Sequence, residues 1–141
     1  SIKKFNQVDP GNKIKNILVI QTVKEDVLTL NDWIIDAIQD IKGKNIIKLD
    51  LRKIDDAPAD YFIICEGDSV TQIKAISDNI SKKIYNEMGI SANHIEGFIG
   101  AKWVLVDFFD TIVHVFYPET RMFYEIEELW GDAKITEYLS N

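Results

Sequence analysis

Apolar positions change period several times along this chain. Leu30, Trp33 with Ile34, Ala37 with Ile38, and Ile41 recur at helical spacing, and Gly43 follows as a stop signal. Asn31 is a good capping residue and Asp32 favours the positive helix end, so a helix is predicted to start near Asn31. The run from Ile46 to Leu51 predicts a buried strand, and a connection holding Pro58 follows it. Tyr61 to Gly67 is nearly continuously apolar, as expected of a strand covered on both faces. Ser69 followed by Gln72 fits a capping box. It opens a second helix whose stripe is Ile73, Ile76, Ile80 and Ile84, and Gly89 closes it.

His94, Glu96, Gly97 and Gly100 fall in a loop or a short edge strand. The runs 103–107 and 111–117 alternate on either side of Phe108-Phe109-Asp110, which predicts a hairpin. Alternation puts Trp103, Leu105 and Asp107 on one face and Val104 and Val106 on the other. In the second run Ile112, His114 and Phe116 oppose Thr111, Val113, Val115 and Tyr117. Pro118 stops that strand, and Phe123, Ile126 and Leu129 predict one helix from about Arg121 to Leu129, ended by Gly131. The order predicts an α/β protein of the α+β kind, with a mixed sheet packed against helices. One right-handed crossover is expected to run from the Tyr61 strand through the Ser69 helix to the Trp103 strand. Residues 1–26 read as an N-terminal arm of unassigned order, in which ILVIQTV suits a short strand or part of a helix. Residues 27–133 read as the domain and 134–141 as a loosely held tail.

With 141 residues and 46% apolar positions, the chain suits a single core. No apolar run approaches the ~18 residues of a membrane span, and no basic-then-apolar leader is evident. The single cysteine, Cys65, excludes an intramolecular disulfide framework and fits a reducing cytoplasm. Sixteen Lys and Arg face 23 Asp and Glu, for a net charge of −7. A protein gripping phosphates usually carries a basic face. Here Lys3, Lys4, Lys13 and Lys15 form only a loose group. A basic protein partner suits this balance better than naked nucleic acid, although acidity also serves solubility alone.

Candidate chemistry is thin. Gly67-Asp68-Ser69, between a strand and a helix, could cradle a phosphate with backbone N–H groups. Asp68 would repel the anion, and no phosphate-binding glycine motif is present. Asp107 and Asp110 flank the hairpin turn with Glu96 upstream, a set that could hold Mg²⁺ for phosphoryl chemistry or simply serve the turn. His94 and His114 are too few for a zinc site, and Cys65 sits inside an apolar strand, away from the surroundings a reactive thiol needs. His114 suits either a hydrogen-bonded structural role or a polar contact on a binding face. Trp103 and Trp130 suit core positions or a recognition surface.

From Leu30 to Ala133 the chain resembles the ribosomal silencing factor, or Iojap-like, family. The ordered blocks are ADYFIICEGDSVTQIKAISDNI, Glu96-Gly97, WVLVDFFDTIVHVF, Pro118, Arg121 and YEIEELWGDA. Two departures are the N-terminal arm and Phe109, which stands where a glycine is common. The resemblance implies a cytoplasmic, non-enzymatic factor without cofactor or metal, built on a nucleotidyltransferase-like fold that lacks the catalytic carboxylates. It implies binding to the large ribosomal subunit through that subunit's ribosomal protein fourteen, obstruction of small-subunit joining, and repressed translation, with little direct nucleic-acid contact and no membrane. The expected docking residues are Trp103, Asp107, His114, Phe116, Arg121 and Tyr124. Trp103 and Phe116 are the expected anchors, and Asp107 the partner of a basic group. The alternatives are a nucleotidyltransferase-like enzyme using Asp107 and Asp110 with Mg²⁺, and a self-associating scaffold forming a homodimer.

Overall fold

The structure, a computed structural model, describes residues 28–141. The arm expected at 1–26, with its strand-or-helix segment, lies outside them. The elements are α1 (Leu30–Asp40), β1 (Lys44–Asp50), β2 (Tyr61–Glu66), α2 (Val70–Met88), β3 (His94–Glu96), β4 (Trp103–Asp107), β5 (Thr111–Phe116), α3 (Pro118–Tyr124), α4 (Ile126–Leu129) and β6 (Lys134–Tyr138). The six strands follow the order β3-β4-β5-β2-β1-β6. Only β2 and β5 pair in parallel, among antiparallel neighbours, so the fold is α+β with a mixed sheet.

The crossover expected to end in the Trp103 strand instead reaches the Thr111 strand. β2 pairs in parallel with β5, Ile64 opposite His114, while β4 runs antiparallel to β5. The hairpin therefore inserts its second strand next to β2. That choice buries Val113 and Val115 at the sheet centre, where the more continuous apolar run belongs.

Two clusters fill the two faces. Ile34, Ile38, Ile63, Ile73, Ile76, Ile80, Val104, Val106, Val113 and Val115 pack between the sheet and α1 and α2. Lys83 on α2 fastens the two helices by bridging Asp36 at 3.0 Å and Asp40 at 2.8 Å. On the opposite face Leu49, Leu51, Phe62, Ile64 and Phe116 pack under Ile126, with Trp103 and Trp130 at the margin. This second cluster is roofed by the chain after β5, so the face that carries Trp103, His114 and Phe116 is largely covered.

Local capping accounts for several boundaries. Helix α1 starts one residue early because Thr29, not Asn31, caps it. The Thr29 hydroxyl accepts from Asp32 N at 3.2 Å, and the Asp32 carboxylate accepts from Thr29 N at 2.9 Å. Asn31 instead accepts from the Thr111 hydroxyl at 2.6 Å, tying the helix start to β5. Gly89 closes α2 at φ 68°. The tail expected to be loose forms the edge strand β6, with Lys48 opposite Thr136, and the Gln39 amide donates to the Leu139 carbonyl at 2.9 Å. The single helix expected from Arg121 is instead two short ones. Pro118 opens α3 at its first turn, where its missing N–H costs nothing. Glu125 at φ 46° then breaks the path before α4.

Candidate functional site

The site sits where β5 ends, beside the start of β4 and under α3. Strand register places Trp103 opposite Phe116 and Leu105 opposite His114. The indole of Trp103 stacks on the Phe116 ring at 4.8 Å between centroids and lies 4.9 Å from the Tyr124 ring. Tyr124 in turn meets the edge of Phe123 at 5.0 Å. The result is a stepped aromatic ledge running from the buried floor to solvent.

Burial sorts the expected docking residues. Phe116 is 0% exposed and His114 only 4%, so both leave the partner-facing set and become the floor that carries Trp103. The reason is the roof of α3 and α4, which the hairpin's alternation does not reveal. Trp103 is half-buried and Tyr124 is exposed. Beside them Phe123 is 80% exposed, and Met122 and Leu129 are also largely open to solvent. Phe123 and Leu129 escaped the sequence reading because helical spacing suggested that they face inward with Ile126. The kink at Glu125 resets the helical phase, so only Ile126 is buried. Glu119, Glu125 and Glu128, all exposed, lie along the same α3–α4 segment. A shallow groove between Lys102, Trp103, Glu119, Thr120, Phe123 and Tyr124 marks the centre of the ledge.

His114 is held by aromatic neighbours and one hydrogen bond. The Trp103 indole Nε1–H donates to His114 Nδ1 at 3.1 Å, and Phe62 meets the imidazole edge-on at 4.5 Å. Because Nδ1 accepts, a neutral ring carries its proton on Nε2. Nε2 is buried and has no hydrogen-bond partner among the described residues. Burial pushes the imidazole pKa down to about 4, since a charge there would lack solvation. His114 is therefore neutral near pH 7.

Arg121 also turns inward. Its guanidinium donates to the Asn45 carbonyl at 2.7 Å and Glu66 Oε2 at 2.9 Å. It also reaches Glu127 Oε2 from Nη2 at 2.8 Å and from Nε at 3.0 Å. With 12% of the side chain exposed, it serves as a clasp between α3, α4 and the sheet rather than as a contact group. Asp107 caps the hairpin turn by accepting from Phe109 N at 2.7 Å. Phe109 adopts φ 72°, the left-handed conformation that makes a glycine natural at this turn.

The chemical alternatives find little material. In the Gly67 turn the N–H of Asp68 donates to Gln72 Oε1 at 2.6 Å and that of Gln72 to Ser69 Oγ at 3.1 Å. Lys44 pairs with Asp68 at 2.7 Å. Donors that could have met a phosphate are thus already used for capping. His94 pairs with Glu96 at 2.8 Å on the sheet edge. Cys65 is buried, and desolvation pushes its thiol up to about 12, away from nucleophilic use. Among the described residues no three His, Cys, Asp or Glu side chains gather to hold a metal ion. No described helix is long and apolar enough to cross a membrane.

Comparison with known proteins adds identity to this geometry. The family described as "Ribosomal silencing factor during starvation" matches residues 24–140. The chain is 43% identical over 101 residues to the ribosomal silencing factor RsfS of Bacillus subtilis, covering 72% of this chain and 84% of that one. It is 35% identical over 74 residues to the mouse protein named "Mitochondrial assembly of ribosomal large subunit protein 1", covering 50% of this chain and 32% of that one. A crystal structure from Chromobacterium violaceum superposes with a TM-score of 0.68 at 40% identity, covering 72% of this chain and 83% of that one. The chain belongs to the RsfS, or Iojap-like, family of ribosomal silencing factors.

Proposed function

We propose that this protein represses translation by docking on the large ribosomal subunit, through its ribosomal protein fourteen, and excluding the small subunit sterically. The observation that carries this reading is the ledge of half-buried Trp103 with exposed Tyr124, Phe123 and Met122, on a chain of net charge −7. Large solvent-exposed aromatics grouped on one helix fit a recognition patch better than a scattered surface. The net acidity of the chain complements a basic protein and disfavours bare phosphate. Large-subunit involvement is in keeping with the mouse relative's name. Trp103, Tyr124 and Phe123 act as contact residues, with Asp107, at the far end of β4 by the hairpin turn, pairing a basic group there. Phe116, His114 and Arg121 hold the ledge in place. The nucleotidyltransferase-like topology serves here as a scaffold, and the protein works in the cytoplasm by occupancy rather than by catalysis.

Steric exclusion requires only that the protein hold its surface more tightly than the small subunit does. Cosedimentation with separated subunits tests it. Binding to large subunits that Phe123→Glu abolishes, with no binding to small subunits, is the expected result. Binding to small subunits alone would reject the proposal.

A further inference from the structure

We infer that His114 is a positioning residue whose Nδ1 sets the orientation of the Trp103 indole on the docking ledge. The inference rests on the proposed docking role of the ledge, but the geometry beneath it is independent of any partner. Trp103 lies at the margin of its cluster, half-buried, and its stacking on Phe116 fixes the tilt of the ring without fixing which edge faces inward. The 3.1 Å bond from Nε1–H to His114 Nδ1 supplies that missing constraint. It turns the polar edge of the indole toward the floor, while the ring also lines the groove beside Tyr124.

The histidine itself is built to be an acceptor at this atom. It is 4% exposed, and Phe62 and Phe116 flank its ring. The neutral Nε2–H tautomer follows from the bond that Nδ1 accepts. That tautomer leaves the Nε2 donor buried without a partner among the described residues, a standing cost. A phenylalanine would fill the same space without that cost. The arrangement is intelligible if the acceptor presented to Trp103 is what the position requires.

Three variants separate positioning from simple packing. His114→Phe keeps the ring volume and removes the acceptor. His114→Asn returns an acceptor two bonds from Cβ, where Nδ1 stood. Trp103→Phe removes the donor. Long-range ¹H–¹⁵N correlation spectra of the full chain should show a bare Nδ1 and a protonated Nε2. The Trp103 indole N–H signal, assigned by its loss in Trp103→Phe, should shift in His114→Phe. In large-subunit binding, His114→Phe should weaken affinity by about tenfold, the scale of one lost hydrogen bond. His114→Asn should recover most of that loss, and in the Trp103→Phe background His114→Phe should add less than about twofold. A proton on Nδ1, or an unchanged His114→Phe effect without the Trp103 donor, overturns the inference. Correct spectra in a wild-type protein that fails to bind large subunits would instead reject the docking function and leave the hydrogen-bond assignment standing.

Discussion

Arg121→Ala removes four hydrogen bonds that end on three acceptors: the Asn45 carbonyl, Glu66 and Glu127. The side chains of Arg121, Glu66 and Glu127 are 12%, 14% and 22% exposed, so water reaches the orphaned carboxylates only in part. Breaking a buried pair by deleting one partner costs about 3–5 kcal/mol. The residual solvent access here lowers the expectation to about 3 kcal/mol. For a domain of this size that corresponds to a fall in Tm of roughly 10 °C. Arg121→Lys keeps the charge but cannot span the three acceptors with one planar fork, so about half the loss should remain. Urea titration followed by circular dichroism measures both variants, and an unchanged m value would locate the loss in the native state. A loss below about 1 kcal/mol for Arg121→Ala would refute the clasp, because exposed ion pairs have that value.

Phe109→Gly should stabilise the domain by about 0.5–1 kcal/mol, since it relieves a left-handed φ of 72° at a side chain 69% exposed; a lower urea midpoint would contradict this. Phe116→Ala should cost about 3–5 kcal/mol as a buried truncation, whereas Phe123→Ala should stay within about 0.5 kcal/mol while weakening large-subunit binding. Parallel melts and binding assays would expose any reversal of those roles. His114 makes stability depend on pH. Its folded pKa of about 4 lies below the ordinary 6.5, so the unfolded chain binds the extra proton between those values. The stabilisation is complete above pH 6.5 and is lost as pH falls toward 4. Between pH 7 and 4.5 the wild type should lose on the order of 2 kcal/mol more than His114→Phe, in which carboxylate titrations cancel; equal losses would show that burial does not hold the ring neutral.

Much of the scaffold was legible because it is local. The Ile73–Ile84 stripe, the Ser69 cap, the Gly89 stop and the valine alternation of the hairpin each follow from spacing within one element. Non-local choices were not. Nothing along the chain says that β2 selects β5 over β4, or that the tail pairs with β1. The site suffered from the same limit. Alternation put Trp103, His114 and Phe116 on one face correctly, but only the fold-back of α3 and α4 decides which of them solvent reaches. Arg121 looked available until tertiary contact brought Asn45 and Glu66 to it. Phe123 and Leu129 matched a core helix, and the turn at Glu125 that exposes them carries no glycine to announce it.

Subunit joining offers the most direct test of steric exclusion by the aromatic ledge. Large subunits are preincubated with the protein, small subunits are added, and light scattering follows their association. The account predicts joining suppressed in proportion to bound protein, restored by Phe123→Glu, and much less affected when the subunits are joined first. Normal joining on large subunits saturated with the protein would contradict it.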